Sequence, residues 1–128
     1  MSAVTPVQLS QIMQIAIIVE NTERATKFYR DVLGMKHLFS AGTLSFFDCG
    51  GVRLMLTVPE RAELRQYSSI VYFKVDDLNA VYQNLLAQKV SFEDKPHLIA
   101  RMPDHELWMT HFRDSENNLL SLMSEIRE

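Results

Sequence analysis

The chain has 128 residues, of which 47% are hydrophobic and 23% charged, with a formal net charge of −3. That length suits one domain burying roughly two-thirds of its unfolded surface, and that composition excludes a disordered chain. Acids and bases are interspersed, so nucleic acid is offered no basic track; the longest apolar run, "IAIIV", falls far short of the roughly 20 residues that span a bilayer.

The N-terminal segment lacks the basic and apolar regions of a secretory signal, so a cytoplasmic location is expected. The first element is "QIAIIV", a β-rich run opening at Gln14. A polar turn follows, then an amphipathic helix in which Ala25, Phe28, Tyr29, Val32 and Leu33 share one face. Thr22 is the expected N-cap and Gly34 the expected stop. "FFDCGGVRLML", residues 46–56, reads as two strands around an Asp-led turn. It holds Cys49, the single cysteine, so no intrachain disulfide is available; a half-buried place at the hairpin end is expected.

The pattern then repeats. Residues 70–89, "IVYFKVDDLNAVYQNLLAQK", restate residues 14–33 at an offset of 56, with Asp77 as N-cap and Leu78, Val81, Tyr82, Leu85 and Leu86 on the apolar face. "FRDSENNLLSL", residues 112–122, restates the hairpin at an offset of 66. The second half thus carries about ten extra residues, placed in "EDKPHLIARMPDHELW", where Pro96 and Pro103 interrupt regular structure and a loop is expected. The prediction is an α+β chain forming a single domain over 1–128. Its module one covers about 10–60 and module two about 66–126, each ordered strand, helix and three strands.

"QIAIIVENTERATKFYRDVLGM" and "FRDSENNLLSLM" resemble the glyoxalase, bleomycin-resistance and extradiol-dioxygenase superfamily, the vicinal oxygen chelate proteins, from Ile12 to Met123. The resemblance implies two βαβββ modules forming a curved, half-open mixed-sheet barrel, and a homodimer. Metal-using members hold a divalent ion at four strand positions through His, Glu or Gln. Those positions fall here on Gln14, Met55, Ile70 and Ser121. Only Gln14 suits a hard or borderline ion: isoleucine has no donor, a thioether prefers soft metals and a neutral hydroxyl is a weak ligand. Gln14 is therefore expected to meet a ligand by hydrogen bonding. In the hairpin, Ser115 and Asn117 replace the family's Pro and Gly, and Asn117 can take the left-handed conformation the turn needs.

The polar residues His97, Arg101, Asp104, His105, Glu106 and His111 follow the second helix. His97, His105, Glu106 and His111 are the alternative metal donors, but His105 and Glu106 are adjacent and point to opposite faces of a strand. Strand parity groups Trp108, Thr110 and Phe112 against Met109, His111 and Arg113. With Phe112 under the helix, His111 faces the concavity as a hydrogen-bonding group or catalytic acid or base. Trp108 is a candidate to stack on a planar ligand, Tyr72 shares strand parity with Ile70 and is expected to reach the pocket, and Arg53 and Arg101 are candidates to meet an anionic ligand. The expected function is binding of a small apolar or aromatic molecule in a cavity lined by Gln14, Met55, Ile70, Tyr72, Trp108, His111 and Ser121, without the usual divalent metal and with no cofactor. The alternative is a lyase, isomerase or dioxygenase of this superfamily, using a rearranged metal site or metal-free chemistry at His111.

Overall fold

The computed structural model describes residues 7–66 and 69–127. Module one runs β1 (Gln14–Ile18), α1 (Thr22–Lys27), a π-helical turn (Phe28–Val32), β2 (Lys36–Ala41), β3 (Leu44–Cys49) and β4 (Val52–Thr57). A short 3-10 segment, Ala62–Gln66, leads to module two: β5 (Val71–Lys74), α2 (Leu78–Ala87), β6 (Ser91–Phe92), β7 (His97–Arg101), β8 (Glu106–Arg113) and β9 (Leu119–Ile126). The sheets are ordered β1-β4-β3-β2 and β5-β9-β8-β6, with β7 also on β8. In each, the first strand lies parallel to the last and the other pairings are antiparallel. This is the curved, half-open arrangement of two βαβββ-type modules, the second carrying one extra strand, β7, with neither sheet closed on itself.

Both helices begin alike. The Asn21 side chain accepts from the Arg24 amide at 2.9 Å, and the Asp77 side chain accepts from the Ala80 amide at 3.0 Å. Asn21, not Thr22, is therefore the cap of α1; Thr22 is already helical and its hydroxyl donates to the Thr43 carbonyl. The helices end differently. In α2 the Val90 amide reaches Leu85 O and the Lys89 amide reaches Leu86 O, with Lys89 left-handed at φ 66°. In α1 the chain first widens into the π turn, Leu33 N donating to Phe28 O, before Gly34 reverses it at φ 69°.

One apolar core joins the modules beneath both helices, with Ile17, Tyr29 and Phe47 from the first and Leu85, Phe112 and Leu122 from the second. Leu86, expected on the buried face of α2, is instead 40% exposed. The extra residues of module two, expected as a loop, form β7 between their two prolines, with a register shift between Leu98 and Ala100. Between the prolines, "HLIAR" alternates exposed and half-buried positions and pairs edge to edge with β8, Leu98 opposite Trp108 and Ala100 opposite Leu107.

Candidate functional site

Strand pairing sorts the predicted residues. Tyr72 pairs with Ser121, and Ser121 with His111, so the three form one row across β5, β9 and β8. Their neighbours in sequence, Phe112, Leu120 and Leu122, point the other way into the core. The small Ser121 lets the larger side chains on either side meet: the Tyr72 and His111 rings stand edge to face, 6.1 Å between centroids at 80°. Ser121 is fully buried, and its hydroxyl donates to Thr110 O at 3.0 Å.

His111 is held by a residue that the sequence did not bring forward. Asp94 Oδ2 lies 2.9 Å from His111 Nδ1, while Asp94 Oδ1 accepts from the His111 amide and the Thr110 hydroxyl, each at 2.7 Å. Burial opposes ionisation of Asp94, but the His111 amide, the Thr110 hydroxyl and the His111 ring outweigh it and hold the carboxyl below its ordinary value. An ionised Asp94 can only accept, so in the neutral imidazole the hydrogen sits on the facing Nδ1 and the lone pair on Nε2. Asp94 is legible only through register: Phe92 opposite Phe112 puts residue 94 beside Thr110 and His111.

Gln14 and Met55 lie on the other sheet. Gln14 Oε1 accepts from Arg53 Nε at 3.0 Å, and its Nε2 lies 3.6 Å from Met55 Sδ. The Arg53 guanidinium stands 5.3 Å over the Phe46 ring, which stacks on Phe39 at 4.5 Å. Gln14 is thus part of an Arg53-centred cluster. Ile70, 42% exposed, precedes β5 at the start of module two.

Trp108 does not join this set. It lies on the α2 side of β8, lining a cleft of about 660 Å³ with Leu78, Tyr82 and Leu86, and its indole nitrogen donates to Glu106. His111 is on the opposite face of the same strand. The alternative donors also separate: His97 contacts Lys95 O, His105 contacts Asp104, and Glu106 takes Arg101. Among the described residues, no three His, Cys, Asp or Glu side chains are grouped to hold a metal ion. Cys49 is half-buried at the end of β3, with its thiol pushed up by burial and by Asp48.

The four family positions do not fit a divalent ion. The one good donor, Gln14 Oε1, already accepts from a guanidinium whose charge repels a second cation. Ser121 Oγ is enclosed and committed to backbone, Ile70 offers no atom, and Met55 offers a soft sulfur.

The family model of the Glyoxalase/Bleomycin resistance protein/Dioxygenase superfamily matches residues 11–122. The uncharacterized protein YraH of Bacillus subtilis (strain 168) is 27% identical over 129 residues, covering 88% of this chain and 96% of that protein. Among solved structures, lactoylglutathione lyase from Agrobacterium tumefaciens superposes with a TM-score of 0.71 at 25% identity, over 90% of this chain and 93% of that one. Virulence protein STM3117 from Salmonella typhimurium gives 0.75 at 18% identity, over 94% and 100%, a likeness of fold.

Proposed function

Because the chain belongs to the Glyoxalase/Bleomycin resistance protein/Dioxygenase superfamily, we propose that it binds a small apolar or aromatic molecule on its concave face, independently of a divalent metal. The observation that carries this reading is the Tyr72–Ser121–His111 row. At a position where the superfamily places a metal ligand, this chain has a buried serine roofed by two rings. Tyr72 is 47% exposed and lines a recess of about 300 Å³ with Met102, Leu107 and Met123. Such a surface offers apolar area and one aromatic face rimmed by Lys74, His105 and Glu125, and His111, edge to face with Tyr72 beside the recess, is the polar group that orients a guest. Phe39, Phe46 and Met55 offer a second apolar wall on the other sheet.

Exposed Phe39 and Tyr72 on these sheets also support pairing with a second copy of the chain, which sedimentation of the purified protein would test. No helix among the described residues is long and apolar enough to cross a membrane. The superposed lactoylglutathione lyase gives the enzymatic alternative, but the donors at the four family positions do not support its transfer to this chain by metal chemistry.

The test is a thermal-unfolding screen against small aromatic and aliphatic compounds in metal-free buffer. A true ligand at a hundred times its dissociation constant adds about 2.7 kcal/mol of stability. Tyr72→Ala and His111→Ala are expected to weaken that gain without unfolding the protein. A gain unchanged in both variants would remove this face from the binding site.

A further inference from the structure

The Asp94–His111 pair lies outside the four family positions and has the geometry of a proton-accepting unit. His111 Nδ1 is spent on Asp94 Oδ2 at 2.9 Å, and Asp94 is itself anchored through Oδ1 by the Thr110 hydroxyl and the His111 amide. Three contacts therefore fix the carboxylate, and through it one tautomer and one ring orientation. Nε2 has no hydrogen-bond partner among the described residues. The half-buried ring stands edge to face with Tyr72 on the open side of the sheet.

We propose that Asp94 and His111 form a metal-free general-base site that takes the proton of a weakly acidic hydroxyl, phenolic or enolic, on the bound aromatic molecule. This rests on the concave-face reading and names the chemical class of its ligand. In the step, the ligand O–H bond breaks, its proton goes to His111 Nε2, and the electron pair stays on the ligand oxygen. Asp94 balances the imidazolium, and no oxidant or reductant is consumed. His111 is the catalytic residue and Asp94 the positioning residue. The other titratable groups facing this row are Tyr72 across Ser121, Lys74, His105 and Glu125 around the Tyr72 recess, Glu93 and Arg113 paired at 2.8 Å beside β6, and His97 opposite Met109 on β7. The Glu93–Arg113 pair neutralises itself, which leaves Asp94 as the charge in contact with the ring.

Two measurements on the full chain test it. Nitrogen-resolved imidazole NMR without ligand, assigned with His111→Gln, should find His111 in the Nδ1–H form. Asp94→Asn should lower the Nδ1–H to Nε2–H ratio about tenfold, the loss expected when a charge-assisted hydrogen bond becomes a neutral one. An Nε2–H form in the wild type, or a ratio unmoved by Asp94→Asn, overturns the proposal whatever the protein binds. The second probe is 4-nitrophenol, whose phenolate absorbs visibly. Saturable binding with a phenolate-to-phenol ratio raised about tenfold over free solution, and lost in both variants, supports the proton transfer. Saturable binding without that change leaves the concave-face reading standing and overturns the base. Failure of 4-nitrophenol to bind overturns the assigned ligand class, while the wider compound screen decides the binding reading separately.

Discussion

Glu116, on the hairpin between β8 and β9, ties module two to the start of α1 by gripping Arg24 across 92 positions of sequence, with Nε to Oε2 at 2.7 Å and Nη2 to Oε1 at 2.9 Å. The same carboxylate accepts from the amides of Glu20 and Asn21, so it also satisfies donors at the entry to that helix. Its side chain is fully buried although Arg24 is 53% exposed.

Acid should loosen this grip. Burial alone would raise the Glu116 carboxyl, but Arg24, the two amides and the Ser115 hydroxyl outweigh it and bring the group from 4.5 to about 2. A folded value below the unfolded one means that the stabilisation is complete above about 4.5 and is lost as pH falls towards about 2. Glu116→Gln should cost about 1–3 kcal/mol near neutral pH. It should also flatten the decline in urea midpoint across that acid window relative to wild type. An equally steep decline in the variant would place the acid sensitivity elsewhere.

Asp114 does similar work two residues earlier in the same hairpin. The Tyr29 hydroxyl donates to its Oδ2 at 2.6 Å, and its Oδ1 accepts the amides of Glu116 and Asn118 at 2.8 Å each. Asn118 Nδ2 then spans Asp114 Oδ2 and Ile18 O, fastening β1 to the hairpin. Asp114→Ala leaves several buried donors without acceptors and should cost about 3–5 kcal/mol, whereas Tyr29→Phe should cost about 1–2. Chemical denaturation of both and of the double variant checks this, and the double should fall short of the sum because the two share one hydrogen bond.

Much of this fold is legible because the chain repeats. Applying the 56-residue offset to Asp77 lands on Asn21, the true cap of α1, and not on Thr22, which helix-cap preference alone also permits. The offset drifts at the helix ends: it carries left-handed Lys89 to Leu33, one place before left-handed Gly34, and the π turn absorbs that extra residue. Hydrophobic spacing does not reveal such a turn, because a helix that widens keeps an apolar face. The site was less legible. Gln14 can be singled out by type, but that its oxygen is occupied by Arg53 depends on β1 lying parallel to β4. Asp94 and β7 depend on pairings with β8 that Pro96 and Pro103 conceal in a linear reading.

Two left-handed residues should respond to glycine. Lys89 closes α2 at φ 66° and Asn117 turns the β8–β9 hairpin at φ 65°. Lys89→Gly should stabilise by about 0.5–1 kcal/mol, and Asn117→Gly by less, since asparagine already tolerates that region. Asn117→Val should destabilise clearly, because a β-branched side chain is poorly accommodated there. Thermal midpoints of the three variants give the order.

Metal uptake should fail for a chemical reason. Arg53 on the Gln14 oxygen and the enclosed Ser121 hydroxyl leave no converging donors at the family positions. Protein purified without a metal-affinity tag, then incubated with nickel, zinc, manganese or ferrous iron and desalted, should retain far less than one equivalent by mass spectrometry. Stoichiometric retention would show that the donor geometry rearranges around the ion.

The two faces of β8 give the sharpest contrast. Trp108 and His111 are three residues apart and point in opposite directions, Trp108 to the cleft beside α2 and His111 to the Tyr72 row. If the ligand rests on the concave face, Tyr72→Ala should weaken its binding by about 0.5–1.5 kcal/mol through loss of an aromatic contact. Trp108→Phe should leave affinity unchanged, with a modest stability loss from the missing indole bond to Glu106. Calorimetric titration of both variants with one confirmed ligand distinguishes the faces. The reverse pattern would move the binding site to the α2 cleft, where Leu78, Tyr82 and Leu86 already form an apolar wall.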